Sequence, residues 1–254
     1  MITLTIITPV GPGISRDDLD SLDADIQAAF PAHITVDWRM GVSNNPELES
    51  LTSDGFDTPT TIIHGVGKNV ANIRNTLIAD VKQGWVLQLD ADDSLMSDAG
   101  TLLTKANDTH CAAAFGKAHD VTDGEVTFTP PSAWLAFDRH IAMPGDLAVR
   151  RRTLGAGATP STEGTPYPTL GAGGFYRASA LHIVRGWDEH YGSWQEDAIL
   201  MGRLQRSFPI YCNPNLVTLL YHRHPGSLMT ADKTAGEWQA FESHLTAIEN
   251  WEAA

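Results

Sequence analysis

Trp85-Val86-Leu87-Gln88-Leu89-Asp90-Ala91-Asp92-Asp93 is an apolar run that ends in three carboxylates. Clustered acids are costly to bury, so a strand finishing this way is a poor core element and a good edge for holding a divalent cation. Carboxylate oxygens suit hard ions such as Mg²⁺ and Mn²⁺, which bind phosphate oxygens in turn. The stretch therefore asks for a phosphate-bearing ligand beyond the strand end.

Working towards the N-terminus, strand and helix patterns alternate. Ile2 to Thr8 is apolar and β-branched, the Gly11-Pro12-Gly13 turn follows, and Leu19, Leu22, Ile26 and Ala29 recur at helical spacing. His33-Ile34-Thr35-Val36-Asp37 reads as a second strand and Thr60-Thr61-Ile62-Ile63-His64 as a third. Val70, Ile73, Leu77 and Val81 then mark a helix between Lys68 and Gln83, with Gly84 suited to its C-terminus. Alternation of this kind predicts an α/β fold with a Rossmann-like, doubly wound and mainly parallel sheet, whose ligands sit beyond the carboxyl ends of the strands. Asp37 and Asp90 are expected at that edge.

The chain has 254 residues, 42% of them hydrophobic, which is ample for one core, and a single domain over 1–254 is expected. Its 17 basic and 31 acidic residues give a net charge of -14. That charge opposes binding to a nucleic-acid backbone or to an anionic membrane surface. Cys111 and Cys212 lack metal-knuckle spacing and read as two reduced cysteines of a cytoplasmic protein. Met1 leads directly into the apolar run at Ile2 without a basic n-region or cleavage site, so a first strand is expected there and not a signal peptide. No apolar stretch approaches the roughly 20 residues that span a bilayer, so no membrane insertion is expected.

Beyond residue 95, the strand–helix alternation of residues 1–95 gives way to a second half over 96–230. Val121 to Phe128 has hairpin character with Asp123-Gly124 as its turn. Residues 144–174 are rich in Gly, Pro and Thr and are expected to form a mobile loop over the active face. Trp238, Phe241, Leu245, Ile248 and Trp251 predict an amphipathic helix within 231–254, packed on the parent domain because its polar face is acidic.

Two further constellations share the theme of the acid cluster: Trp194-Gln195-Glu196-Asp197, and His222-Arg223-His224-Pro225-Gly226-Ser227. Each has a plain structural use. Asp93 could cap a following helix, Glu196-Asp197 could sit on a solvated first turn, and the histidines could be surface residues.

In order along the chain, these residues resemble the inverting GT-A glycosyltransferases of family 2. Ile6-Ile7-Thr8-Pro9-Val10 is similar to that family's first strand, Asn69-Val70-Ala71-Asn72-Ile73-Arg74-Asn75 to its Ala-Arg-Asn-like helix, and Leu89 to Asp93 to its DxD element. Gly173 to Arg177 and Arg185-Gly186-Trp187-Asp188-Glu189 look like its acceptor-side segment, Glu196-Asp197 like its catalytic acidic pair, and Tyr221 to Ser227 like its late metal-binding segment. The resemblance implies a nucleotide-diphosphate sugar, with a UDP-sugar as the expected donor, lying over Thr8 and Pro9, with Asp37 and Arg74 on the nucleoside. It also implies Mn²⁺ or Mg²⁺ on Asp92 and Asp90, with Asp90 alternatively on the ribose. His224 is the implied histidine ligand and His222 its reserve. Asp197, paired with Glu196, would take the proton of an acceptor hydroxyl in a single inverting displacement. One departure stands out, since Asp37 is followed by Trp38-Arg39-Met40-Gly41 where the family has paired aspartates and Gly-Ser.

Two other functions compete. Asp90-Ala91-Asp92-Asp93-Ser94 superficially fits the nucleophile loop of a haloacid-dehalogenase-like phosphohydrolase, but it follows about three strands where that family uses the first. A non-catalytic nucleotide-sugar or carbohydrate-binding protein of the same fold would have no need of Asp197.

Overall fold

The computed structural model describes residues 1–128, 141–142, 173–190 and 196–222. The loop expected at about 144–174 lies almost wholly outside the described residues, and the helix expected in 231–254 and His224 lie entirely outside them.

Strand β1 (Ile2–Val10) runs into α1 (Arg16–Ala29), whose start is fixed by a reciprocal cap. The Ser15 hydroxyl accepts from the Asp18 backbone N–H at 3.2 Å, while Asp18 accepts from the Ser15 N–H at 2.8 Å. Leu19, Leu22 and Ile26 are fully buried on one helix face, each contributing about 1.5–3 kcal/mol. β2 (Ile34–Val42) and β3 (Thr60–His64) follow, then α2 (Val70–Ile78), capped by the Asn69 side chain, which accepts from the Asn72 N–H at 2.9 Å. This helix stops at Ile78, short of the expected end. A turn bond from the Val81 N–H to the Ile78 carbonyl takes over at 3.0 Å. Gly84 serves the entry to β4 (Trp85–Gln88): its φ is +86°, and a Cβ there would meet the Thr3 carbonyl oxygen at 2.8 Å.

The second half contains β5 (Ser94–Leu95), α3 (Asp98–Asn107), β6 (Ala113–Thr122), β7 (Glu125–Phe128), β8 (Ile141–Ala142), β9 (Phe175–Arg177), α4 (Ala178–Ile183), α5 (Glu196–Ser207) and β10 (Ile210–His222). The Asp123-Gly124 turn joins β6 to β7, with φ of +53° and +80°, as its sequence predicts.

Among the described residues ten strands form one sheet, its main path ordered β3-β2-β1-β4-β9-β6-β10-β5. β3, β2, β1 and β4 are parallel, β9 is antiparallel to both neighbours, and β6 and β10 are parallel again. Side chains alternate between faces along each strand. Leu4, Ile6, Trp38 and Leu87 pack with α1 and α3 on one face, and Ile7, Val86, Ile73, Leu77, Leu200 and Leu204 form the core on the other. Helices on both faces make the sheet doubly wound. The strand order reverses between β1 and β4, because β2 and β3 build outwards from one side of β1 and β4 adds to the other. Such a reversal opens a crevice beyond the strand ends, and Asp90 follows β4 directly into it.

Candidate active site

Arg74 is the hub of this crevice. It lies on α2, 2% exposed. Its Nη2 donates to Asp90 Oδ1 at 2.8 Å, and its Nη1 donates to Glu196 Oε1 at 2.7 Å and to Asp197 Oδ1 at 3.1 Å. Helical spacing sends Ile73 and Leu77 into the core and leaves Arg74 facing the strand ends, where the first turn of α5 brings its two acids. Expected on the nucleoside, Arg74 instead has both terminal nitrogens committed to carboxylates, because only paired charges tolerate such burial.

Three carboxylates crowd one guanidinium, Glu196 buried and Asp90 and Asp197 part-exposed. Desolvation, followed by the charge of Asp197, pushes the Glu196 carboxyl up to about 8. Desolvation also raises the Asp197 carboxyl, with Arg74 opposing the rise. Burial works against the Arg74 charge, yet Asp197, Asp90 and Glu196 together outweigh it and hold the guanidinium protonated.

Asp197 has two more partners. Trp187 Nε1 donates to its Oδ1 at 3.1 Å and Gln88 Nε2 to its Oδ2 at 3.3 Å. Trp187 is delivered by a loop clamped to α2: Asn75 Nδ2 donates to the Trp187 carbonyl at 2.8 Å and to Glu189 Oε1 at 2.9 Å, Asn75 Oδ1 accepts from the Trp187 N–H at 2.9 Å, and Asn72 Nδ2 donates to Glu189 Oε2 at 2.9 Å. Gly186 makes the clamp possible. Its φ is +63°, and a Cβ there would stand 2.3 Å from Asn75 Oδ1. Arg203 on α5 braces the same loop through Asp188, Nη2 to Oδ2 at 2.6 Å.

The acid cluster divides its labour. Asp92 is exposed, and Asp90, with one oxygen held by Arg74, is half-buried. Asp93 is buried and caps no helix: its Oδ1 accepts from the His222 N–H at 3.1 Å, tying the end of β10 to the turn after β4. Burial, and then the charges of Asp90 and Asp92, push its carboxyl well above the usual range. His222 Nε2 lies 3.0 Å from Ser94 Oγ. Among the described residues, no group of three or more His, Cys, Asp or Glu side chains is placed to hold an ion by itself. Mg²⁺ and Mn²⁺ sites that carry phosphates commonly use one or two carboxylates with water and substrate oxygens, and the Asp90 and Asp92 pair fits that donor set.

The structure corrects the strand position expected of Asp37 and gives Thr8 a partner within the sheet. Asp37 is not at the end of β2, which runs five residues further to Val42; it pairs in register with Thr5 in mid-strand. There it accepts from Arg39 Nε at 2.8 Å, and Arg39 also pairs with Asp80. The missed signal was the period-two run Ile34, Val36, Trp38, Met40 and Val42. Thr8 is fully buried, its hydroxyl accepting from Trp38 Nε1 at 2.9 Å, so it braces the sheet; Pro9 is half-buried near the strand end.

The true end of β2 leads to Ser43, Asn44 and Asn45, which sequence reasoning passed over. Asn44 has φ of +51°, and buried Asn45 donates through Nδ2 to the carbonyls of Gly11 and Ile14, both at 2.8 Å. A cavity of about 470 Å³ opens here, lined by Val42, Asn44, Asn45, Pro46, Glu49, His64 and Gly65.

The mainly parallel sheet, its reversal at β1 and β4, and the helices on both faces make a doubly wound α/β fold, and superposition on solved structures shows it to be of the GT-A kind. Among solved structures, residues 1–349 of TarS from S. aureus in complex with UDP-GlcNAc superimpose with a TM-score of 0.71 at 13% identity, over 99% of this chain and 67% of that one. The same residues in complex with UDP give 0.65 at 13% identity, over 97% and 69%. Longer TarS gives 0.60 at 12% identity, over 96% of this chain and 43% of that one. No family model matches the chain, and no curated protein matches it in sequence. Among the described residues no helix is long and apolar enough to cross a membrane.

Proposed function

We propose that this protein is a metal-dependent, inverting glycosyltransferase that moves a sugar from a nucleotide-diphosphate donor to an acceptor hydroxyl. The observation that carries the reading is the Arg74 bridge, which joins the acid that follows β4, Asp90, to buried Glu196 and part-buried Asp197. A pure binding protein would have no reason to keep desolvated carboxylates of raised pKa beside a phosphate site. The fold shared with the UDP-GlcNAc complex of TarS supports a nucleotide sugar as donor, with a UDP-sugar first among candidates.

In this reading the nucleoside lies towards the ends of β2 and β3 and the diphosphate at Asp92. Strands stand about 4.8 Å apart, so the span from β3 to β4 suits a nucleoside diphosphate. Mn²⁺ or Mg²⁺ held by Asp92 and Asp90 would neutralise the departing diphosphate as a Lewis acid. The acceptor oxygen attacks the anomeric carbon, its proton passes to Asp197, and the bond from that carbon to the diphosphate oxygen breaks, the diphosphate leaving with the electron pair. Attack opposite the leaving group inverts the centre. Asp197 can act as base because its desolvated carboxyl has a raised pKa, nearer the working pH. Arg74 keeps Asp90 and Asp197 in fixed relation while charge moves between the donor and acceptor sides. His224 remains the proposed additional metal ligand, with His222 in reserve. The free, buried Cys111 and Cys212 accord with a reducing, cytoplasmic setting.

A melting-temperature screen of UDP-, GDP-, dTDP- and CDP-sugars with and without Mn²⁺ tests the proposal, since a ligand of the folded state raises the midpoint. One nucleotide series is expected to shift it only with metal. No shift with any of them would overturn the reading.

A further inference from the structure

Gln88 is a polar side chain where the strand pattern calls for an apolar one. It is fully buried at the end of β4, on the same sheet face as Val86, which packs in the core beneath α2 and α5. A buried amide without hydrogen bonds is strongly destabilising. Gln88 meets the demand in one way: its Oε1 accepts from Trp187 Nε1 at 3.1 Å and its Nε2 donates to Asp197 Oδ2 at 3.3 Å. Both its backbone groups are held by the segment that leads into β9, the N–H donating to the Gly174 carbonyl at 3.1 Å and the carbonyl accepting from the Gly173 N–H at 2.8 Å. The amide is therefore carried by a rigid element.

The lone pairs of Asp197 can be counted. Oδ1 accepts from Arg74 and shares the single Trp187 N–H with Gln88 Oε1, and Oδ2 accepts from Gln88 alone among the described residues. We propose that Gln88 is a positioning residue: with Trp187 it fixes the rotation of the Asp197 carboxylate and leaves one lone pair of Oδ2 aimed at the acceptor hydroxyl. The inference rests on Asp197 being the base. The charged groups around that carboxylate are Arg74 on α2, Asp90 after β4 and Glu196 on α5, with Tyr176 of β9 also within its field.

Gln88→Met keeps the length of the side chain and removes both hydrogen bonds, while Trp187→Phe keeps an aromatic ring and removes the N–H. The probe is whichever of the UDP-, GDP-, dTDP- and CDP-sugars raises the melting temperature most with Mn²⁺, and turnover is nucleotide release with water as acceptor. Each variant is expected to lower kcat about 10- to 100-fold, as misplaced reacting groups do. Donor KM and Mn²⁺-dependent nucleotide affinity are expected to hold, and the double variant to cost little more than the worse single one. Unchanged kcat in folded Gln88→Met, or a loss of nucleotide affinity in step with kcat, overturns the inference. Should Gln88→Met fail to fold, unchanged kcat in Trp187→Phe does the same. Turnover persisting in Asp197→Asn overturns the base assignment itself, so the two failures are distinguishable.

Discussion

Arg74 Nη1 donates to Asp197 Oδ1 at 3.1 Å across 123 residues of chain. The bond joins the helix after β3 to the first turn of α5, and it makes the two halves of the crevice one electrostatic unit.

Asp197→Asn keeps the shape and removes the proton acceptor. Transfer is expected to fall by about 10²- to 10⁴-fold, the usual share of a general base. Calorimetry should find Mn²⁺-dependent nucleotide affinity intact. Lost affinity with persisting transfer would show that the residue serves the donor.

Asp92→Ala removes an exposed carboxylate of the phosphate edge. Nucleotide affinity in Mn²⁺ should drop towards the value measured in EDTA, with the melting temperature of the free protein unchanged. Equal Mn²⁺-dependent affinity in variant and parent would remove Asp92 from metal binding.

Arg74→Met takes from three carboxylates the guanidinium that bridges them. Breaking a buried pair from one side costs about 3–5 kcal/mol, readable as a lower urea midpoint at constant slope. Arg74→Lys should recover only part of this, since one ammonium cannot reproduce the fork that reaches Asp90 with one nitrogen and the acids of α5 with the other. A midpoint within experimental error of the parent would mean the bridge carries no stability.

Glu196 gives stability a pH dependence of definite sign. Its carboxyl is raised from 4.5 to about 8 in the folded state, so between those values the native chain binds the extra proton. Stability contributed by this group is then greatest at the acid end and falls as pH rises towards 8, by up to about 1.4 kcal/mol per pH unit. Urea unfolding from pH 5 to 8 should show a flatter profile in Glu196→Gln. An identical slope in parent and variant would place the titration elsewhere.

Asp37→Asn tests the corrected strand end. Asp37 is 38% exposed and paired with Arg39, so its loss should cost about 1 kcal/mol or less and leave nucleotide affinity unaltered. Weaker nucleotide binding would return Asp37 to the donor site.

The alternation of Ile2 to Thr8, Thr60 to His64 and Trp85 to Leu89 with helical periods was legible because burial on one or both faces writes itself into local spacing. So was the acid edge at Asp90, since carboxylates after an apolar run have few structural uses. The extent of β2 was legible too, in the alternation through Val42, but the Asp37 carboxylate drew the boundary inwards. The halt of α2 at Ile78 was not, because Val81 is buried by a turn that keeps the apolar spacing.

The sequence by itself determined the fold class and which acids could do chemistry, for those follow from periodicity and from the rarity of clustered carboxylates at a strand end. Only the tertiary structure decided what those acids touch. It set Arg74 against Asp90, Glu196 and Asp197 instead of leaving it to a nucleoside, turned Thr8 and Asp93 to structural bonds, and brought Gln88 to the Asp197 carboxylate. The physical reason is that a buried charge or amide takes its role from whichever partner satisfies it, and the α5 acids that meet Arg74 and Gln88 lie more than 100 residues from them in the chain.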